Sequence, residues 1–404
     1  MLHQMPRAAA PAPEMSEGPS AAVALAELRL AANRLGRVVE RWNTIPALGC
    51  VRIRFTGDRL TLEATDLKMT LALDLEAQTS GHADLVVSHR ALAGFLRAAR
   101  GPVTITHMRG EDHDRVRLSD GEIQVTLQLS IPPEDFPQPF KDPDPDGMHG
   151  AGTFTLSGAQ ALRLFDLGRS CVSREETRYY LNGTFLTTKP DACTLRAVST
   201  DGHRMAIIDC AEPARFIEGP RADGSKATDR PDGLIVPVRA VDLLIAIARK
   251  ARNGALTFHT GPRHLLVTAP GLRLVIQGID GTYPDYTRVT PQASDAFAAH
   301  LSAAALTRLR TIASATCYGR SLPLRLDPGA GRMSLSMPDG VDLSTALQGH
   351  AAKDGQTATY SLALLSEFAR IAPAFTLSSA GRGEPARIVT EDPDALWILM
   401  PMRD

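Results

Sequence analysis

A chain of 404 residues predicts two to four domains and is long enough to bury several cores. Its 44 basic and 45 acidic side chains cancel, which excludes an overall field drawing the chain to nucleic acid or membrane; any such affinity must come from how the charges are arranged. The 5 cysteines (Cys50, Cys171, Cys193, Cys210, Cys317) form no C-x-x-C and read as reduced thiols of a cytoplasmic protein, and no apolar run reaches the roughly 18 residues of a membrane span.

Residues 1–21, rich in Ala, Pro, Met and Ser and without the apolar core of a signal peptide, are expected to be a disordered tail. A helix is predicted from about Ala22 to Arg41, with Leu25, Leu28, Ala32, Leu35 and Val39 as its buried stripe and Arg34, Arg37 and Arg41 opposite. Strands follow at Cys50–Phe55, Leu60–Ala64 and Met69–Leu75, and a short strand at Asp84–Val87 leads into a second helix from Ser88, a suitable N-cap, to Arg100. Arg90 and Arg97 share that helix's polar face. Strands and turns fill Val103–Leu129, and a proline-rich linker spans Ile131–Asp146.

The same order returns twice. A helix after Phe154–Ser157 carries Ala161, Phe165, Gly168 and Val172 on one face and Arg163, Ser170 and Arg174 on the other. Strands at Tyr179–Leu186 and Thr194–Asp209 are followed by a polar Gly/Pro-rich insertion at Ala211–Gly233, a strand at Leu234–Val236, a helix from about Pro237 to Arg252, and three more strands to Gln277. Asp201-Gly202 between two β-rich runs is a strong hairpin signal. The third copy places a helix at Ser302–Ala315 with Leu306, Leu309 and Ile312 buried, a second from Tyr360-Ser361 to about Ile371, and strands between and after them. Corresponding helices recur every ~120–150 residues, too far apart for a solenoid, so each copy is a domain. The expected fold class is α+β: three similar domains of antiparallel sheet with two helices each, at 22–147, 150–289 and 290–404.

Several helices carry arginine away from their apolar stripe, while acids gather in turns such as Glu111–Asp114, Asp142–Asp146 and Glu391–Asp394. Helices lining one shared surface would make it basic, and a basic lining holds duplex DNA through its phosphates without reading bases.

Asn43-Thr-Ile-Pro-Ala-Leu-Gly49, Glu63-Ala-Thr-Asp-Leu67, Arg178-Tyr-Tyr-Leu-Asn-Gly183, Ser199-Thr-Asp-Gly-His-Arg-Met205, Gly281-Thr-Tyr-Pro-Asp-Tyr286 with Arg288-Val289, and Met400-Pro-Met-Arg403 occur in this order. Together they resemble the bacterial DNA polymerase III beta subunit, the sliding clamp family, across residues 22–404. The resemblance implies the DNA clamp fold in a ring-forming head-to-tail homodimer, six domains around duplex DNA. It implies a non-catalytic processivity factor without cofactor or metal, whose partners are DNA, polymerase, clamp loader and repair proteins. It implies a peptide-binding pocket walled by Tyr180, Leu181, Thr200, Gly202, His203, Arg204 and Met205, then Pro284, Arg288 and Val289, then Ile398, Met400, Pro401, Met402 and Arg403. Met and Val would give that pocket an adaptable apolar floor, and Arg204, Arg288 and Arg403 would hold the peptide's backbone or acidic groups. The same matching assigns DNA contact to Arg41 or Trp42, Arg90, Arg178 and Arg239, while Arg34, Arg37, Arg97, Arg163 and Arg174 rest on helical geometry. The dimer contact would join Ile123–Leu127, including Val125, to the helix around Ile312.

Asp404, Met205 where leucine is usual, the N-terminal tail and the 211–233 insertion depart from the family pattern and allow a divergent second clamp with altered partners. A monomeric peptide-binding scaffold would keep the pocket and lose the ring. For an enzyme, no H-E-x-x-H, P-loop or G-x-S-x-G stands in a fitting context. His107 with Asp112, His113 and Asp114 reads as an exposed turn, and Ser199, Asp201 and His203 have the letters of a triad but lie too close along one turn.

Overall fold

The computed structural model describes residues 16–110, 113–140, 152–189, 194–214, 216, 233–261, 263–294, 296–316, 322–337, 340–347, 350–352 and 356–402. Arg403, Asp404, residues 1–15 and most of the 211–233 insertion therefore lie outside the described residues. The chain divides into two compact units, residues 1–144 with 266–276, and residues 145–265 with 277–404.

The first unit runs β1 (Ser16–Val23), α1 (Leu25–Leu35), β2 (Cys50–Thr56), β3 (Arg59–Thr65), β4 (Met69–Glu76), β5 (Gln78–Ser80), β6 (Ala83–Ser88), α2 (His89–Ala98), β7 (Val103–Arg109), β8 (Arg115–Ser119) and β9 (Gln124–Gln128). Residues 16–21 are thus strand, not tail: β1 pairs antiparallel with β7, and its alternation turns Ala21 and Val23 into the core. For the same reason α1 begins only at Leu25, and it stops at Leu35, so Arg37 and Arg41 leave the helix that the sequence pattern assigned them. Leu28, Ala31, Ala32 and Leu35 form its buried stripe, which packs on α2. Ser88 caps α2 through the Ala91 amide.

The second unit runs β10 (Gly152–Ser157), α3 (Gly158–Asp166), β11 (Gly183–Thr188), β12 (Thr194–Thr200), β13 (Arg204–Pro213), β14 (Gly233–Pro237), α4 (Val238–Lys250) and β15 (Ala255–Thr260). After β16 (His264–Ala269), β17 (Leu272–Gln277) pairs with β4 within the first unit, Leu274 opposite Leu71. The second unit resumes with β18 (Phe297–Ser302), α5 (Ala303–Thr316), β19 (Pro323–Asp327), β20 (Arg332–Ser336), β21 (Asp342–Ala346), β22 (His350–Ala352), β23 (Ala358–Ser361), α6 (Leu362–Phe368), β24 (Ala374–Ser379), β25 (Ala386–Val389) and β26 (Ala395–Leu399). Here α3 packs on α4 and α5 on α6, so the helix pair recurs as expected. Gly158 makes the α3–α4 approach possible: a Cβ there would meet the Ala251 carbonyl oxygen at 2.1 Å.

Within this unit β13 pairs with β26, Met205 opposite Ile398, and that pairing joins strands of the second and third copies into one nine-stranded sheet, β14-β11-β12-β13-β26-β25-β24-β18-β22. Two expectations fail locally. Tyr179–Leu181 belong to a 3-10 turn at Glu176–Leu181 and not to β11, and Ile312 lies on the open side of α5 while Leu306, Leu309 and Ala313 fill its buried side.

Arg163 is tied into this fold. Its Nε and Nη2 donate to the two Asp392 carboxylate oxygens at 2.7 and 2.6 Å, and its Nη1 donates to the Asp209 carbonyl at 2.7 Å. The guanidinium holds the Asp392 carboxyl below the usual carboxylate range. A depressed folded pKa contributes stability that is present above the unfolded value of ~3.9 and lost as pH falls through the folded value. Arg163→Ala is therefore expected to cost roughly 1–3 kcal/mol at neutral pH, read from urea midpoints. Below about pH 4 the gap to the parent should narrow to the share carried by the Asp209 carbonyl; a pH-independent gap would exclude the charge pair.

Candidate peptide groove and basic faces

The residues assigned to the pocket centre on the β12–β13 turn. Thr200 Oγ1 accepts from the Gly202 amide at 3.1 Å, and Asp201 Oδ1 accepts from the His203 and Arg204 amides at 2.9 and 3.0 Å. Gly202 has φ +87, the left-handed conformation that the turn requires and that favours glycine. The β3–β4 turn repeats this network: Thr65 Oγ1 accepts from Leu67 N and Asp66 Oδ1 from Lys68 N and Met69 N. There Leu67 takes the left-handed position at φ 71. A shared Thr-Asp device thus marks the repeat where overall identity between copies does not.

Below the turn Leu181, Phe185, Val198, Met205, Ile207, Ile235, Tyr283, Tyr286 and Ile398 form one buried cluster, with Tyr180 packed against it. Phe185 stacks on Tyr283 at 4.8 Å, and the buried Tyr283 hydroxyl donates to the Val198 carbonyl at 3.3 Å. Around the cluster Gly202, His203, Pro284, Arg288, Val289 and Met400 are exposed, and Thr200, Pro401 and Met402 are half-buried. The Met400 amide donates to the His203 carbonyl and the Met402 amide to the Thr359 carbonyl, both at 2.8 Å, so the terminal strand is stapled beside the turn. Of the residues assigned to the pocket, Leu181, Met205 and Ile398 share this cluster with Tyr180 packed on it, and Met400 is bonded to His203.

The structure also reassigns three of them. Arg204 is no free cation: its Nε donates to Asp201 at 3.0 Å and its Nη1 to Glu367 at 2.6 Å, holding β13 to α6. Arg288 remains open to solvent, 3.3 Å from Asp285. Val289 and Met400 are exposed, whereas Met205, Leu181, Ile398 and the aromatic pair are buried. Phe185, Val198, Ile207 and Tyr283 went unassigned because alternating apolar strand residues look alike until a sheet shows which share a face.

Of the residues assigned to DNA, Arg37, Arg41, Trp42, Arg90, Arg97, Arg174 and Arg239 are exposed. Arg163 is corrected, being committed to Asp392, while the partly exposed Arg178 makes two 2.8 Å bonds to the exposed Glu175. Arg34 is half-buried, its Nε has no partner among the described residues, and desolvation lowers its pKa. Arg174 follows α3 and does not lie on it.

Ile123 and Ile312 are 51 % and 46 % exposed, far above what large aliphatic side chains of a core show. Val125 lies on β9, an end strand of the five-stranded sheet β5-β1-β7-β8-β9, and β21 is an end strand of the sheet β21-β20-β19-β23. End strands leave backbone donors and acceptors open to another chain.

The letters of a catalytic triad come apart in space. Ser199 is buried against the Thr184 hydroxyl at 3.0 Å, and the Asp201 carboxylate is used by its own turn and Arg204. His107 pairs with Asp114 at 2.8 Å, and among the described residues no group of three metal-ligating side chains occurs. Burial pushes the Cys171 thiol up to about 12, which removes it as a nucleophile at neutral pH. Among the described residues no helix is long and apolar enough to cross a membrane.

Helix pairs packed on antiparallel sheets recur along the chain, the architecture expected of the clamp class of protein. Residues 24–139 match the family described as DNA polymerase III beta subunit, N-terminal domain, and residues 163–285 match its central domain. A beta sliding clamp of Caulobacter vibrioides is 28 % identical over 391 residues, covering 94 % of this chain and 98 % of that protein. One of Pseudomonas aeruginosa is 26 % identical over 376 residues, covering 91 % and 95 %. The crystal structure of a DNA polymerase sliding clamp from Caulobacter crescentus superposes with a TM-score of 0.79 at 26 % identity, over 95 % of this chain and 100 % of that one. A DnaN sliding clamp from Bartonella birtlesii bound to griselimycin gives 0.80 at 24 %, over 96 % and 100 %. The chain belongs to the beta sliding clamp family, the bacterial DNA polymerase III beta subunits.

Proposed function

We propose that this chain works as a DNA sliding clamp: a cytoplasmic, non-catalytic homodimer that encircles duplex DNA and tethers polymerase, clamp loader and repair proteins by short linear peptides. The observation that carries this reading is the likeness to beta sliding clamps along nearly the whole chain, supported by a buried apolar cluster at the β13–β26 junction. Each chain would contribute three domains, 22–147, 150–289 and 290–404, to a six-domain ring. The helix pairs would face the DNA with Arg90, Arg97 and Arg239, and the segments after α1 and α3 would add Arg37, Arg41 and Arg174, contacting phosphates without regard to sequence. Enclosure would supply the persistence, so weak contacts suffice and permit sliding. The groove chemistry suits the partner role, because an apolar floor ringed by His203, Met400 and Met402 accepts side chains of varied shape.

The test is topological. Light scattering is expected to give twice the mass of one chain, and protein loaded on nicked circular DNA is expected to persist in moderate salt and to leave once the circle is cut. A monomer at micromolar concentration, or equal loss from circle and line, would overturn the ring.

A further inference from the structure

Trp42 is 95 % exposed, whereas the chain's other tryptophan, Trp397, is 0 % exposed. A bare indole is costly in water and is kept on surfaces mostly where a partner covers it. Here it borders a cavity of about 670 Å³ that Arg41, Arg90, Arg97, Ser88 and His89 also line. The three arginines make no hydrogen bond or ion pair with described residues. His89 is already engaged with the Ala32 carbonyl at 2.9 Å, and Glu40, the acid in this wall, accepts from Asn43. One flat, unpaired aromatic face therefore stands among three unpaired cations.

We propose that this corner binds single-stranded DNA, Trp42 stacking on an unpaired nucleobase while Arg41, Arg90 and Arg97 hold the flanking phosphates. The inference rests on the DNA-clamp reading and names what that face does where duplex gives way to single strand. In a duplex the base faces are already stacked on their neighbours, and only phosphates and groove edges are offered to a side chain. An unpaired base offers its π-face to the indole, whatever its sequence, and aromatic–base stacking together with a cationic groove is how non-specific single-strand binding is built. A phosphate-only site has no use for an indole in this position, and a protein-docking surface would not be expected to gather three uncompensated arginines around it.

The experiment uses the full chain at low ionic strength, where phosphate contacts are strongest. Fluorescein-labelled oligothymidylate and a blunt duplex with the same number of nucleotides are titrated by anisotropy, and tryptophan emission is followed with unlabelled strands. Because Trp397 is buried, quenching reports Trp42. Oligothymidylate is expected to quench strongly and the duplex weakly. Trp42→Ala is expected to weaken oligothymidylate about tenfold more than duplex, the ratio that 1.4 kcal/mol of stacking gives, and Trp42→Phe is expected to recover part of it. An unchanged thermal midpoint would show that the variants remain folded. Equal effects of Trp42→Ala on both probes, or quenching by neither, overturn the proposal; the second result leaves a protein partner as the occupant. If that happens while Arg41→Ala/Arg90→Ala/Arg97→Ala still weakens duplex binding, the duplex-facing role of these arginines stands without the stacking role. If the triple variant binds duplex as the parent does, both assignments fall.

Discussion

Replacing His203, Met400 and Met402 together with alanine is expected to weaken binding of a polymerase-derived linear peptide by a hundredfold or more, while the oligomeric state and the thermal midpoint stay as they are. The three side chains surround the buried cluster without belonging to it, so their truncation removes contact area from the ligand and little from the core. Interface side chains that fill such a centre cost ~1–3 kcal/mol each when truncated, and about 2.7 kcal/mol in total already gives a hundredfold. Arg204 and Met205 are left untouched on purpose. Arg204→Ala would strand Glu367 and Asp201, and Met205→Ala would hollow the floor, so either would lose binding through folding. Fluorescence anisotropy with a labelled peptide reads the result. Affinity within threefold of the parent would remove the groove assignment even if the ring proved correct.

Charging the two exposed isoleucines should have a comparably large effect of a different kind. Ile123→Glu and Ile312→Glu in one chain are expected to turn the proposed dimer into a monomer at micromolar concentration and to abolish retention on circular DNA, with peptide affinity unchanged. If β9 and the α5–β21 region of a second copy meet, each glutamate is buried against apolar surface and unpaired, a penalty of several kcal/mol per site, and the closed ring has two such junctions. In the monomer both residues already face water, so the substitutions should be nearly silent in unfolding experiments. A persistent dimer by light scattering would place its interface elsewhere. The alanine triple and this pair separate the two halves of the proposed function, since one should cost partners with the ring intact and the other the ring with the groove intact.

Periodicity and turn chemistry determined much of this protein from sequence. Strands β2 to β4 alternate cleanly, Ser88 and Ser157 announce the helices they cap, and Asp201-Gly202 marks its hairpin, all through interactions within a few residues. The pocket residues were legible as separate ordered motifs, because each motif is local even when the site is not. Tertiary structure decided what depends on distant partners. β1 has too few strong strand formers to declare itself and exists through pairing with β7. Arg163 and Arg204 read as available cations until Asp392 and Glu367, 229 and 163 residues away, neutralise them. Ile312 fits a buried stripe by spacing, yet the face that α5 turns inward is filled by Leu306, Leu309 and Ala313. Local rules specify which element a segment forms; only packing specifies which side chains are left over, and the leftover side chains (Trp42, Ile312, Met400) are the ones that carry the proposed contacts.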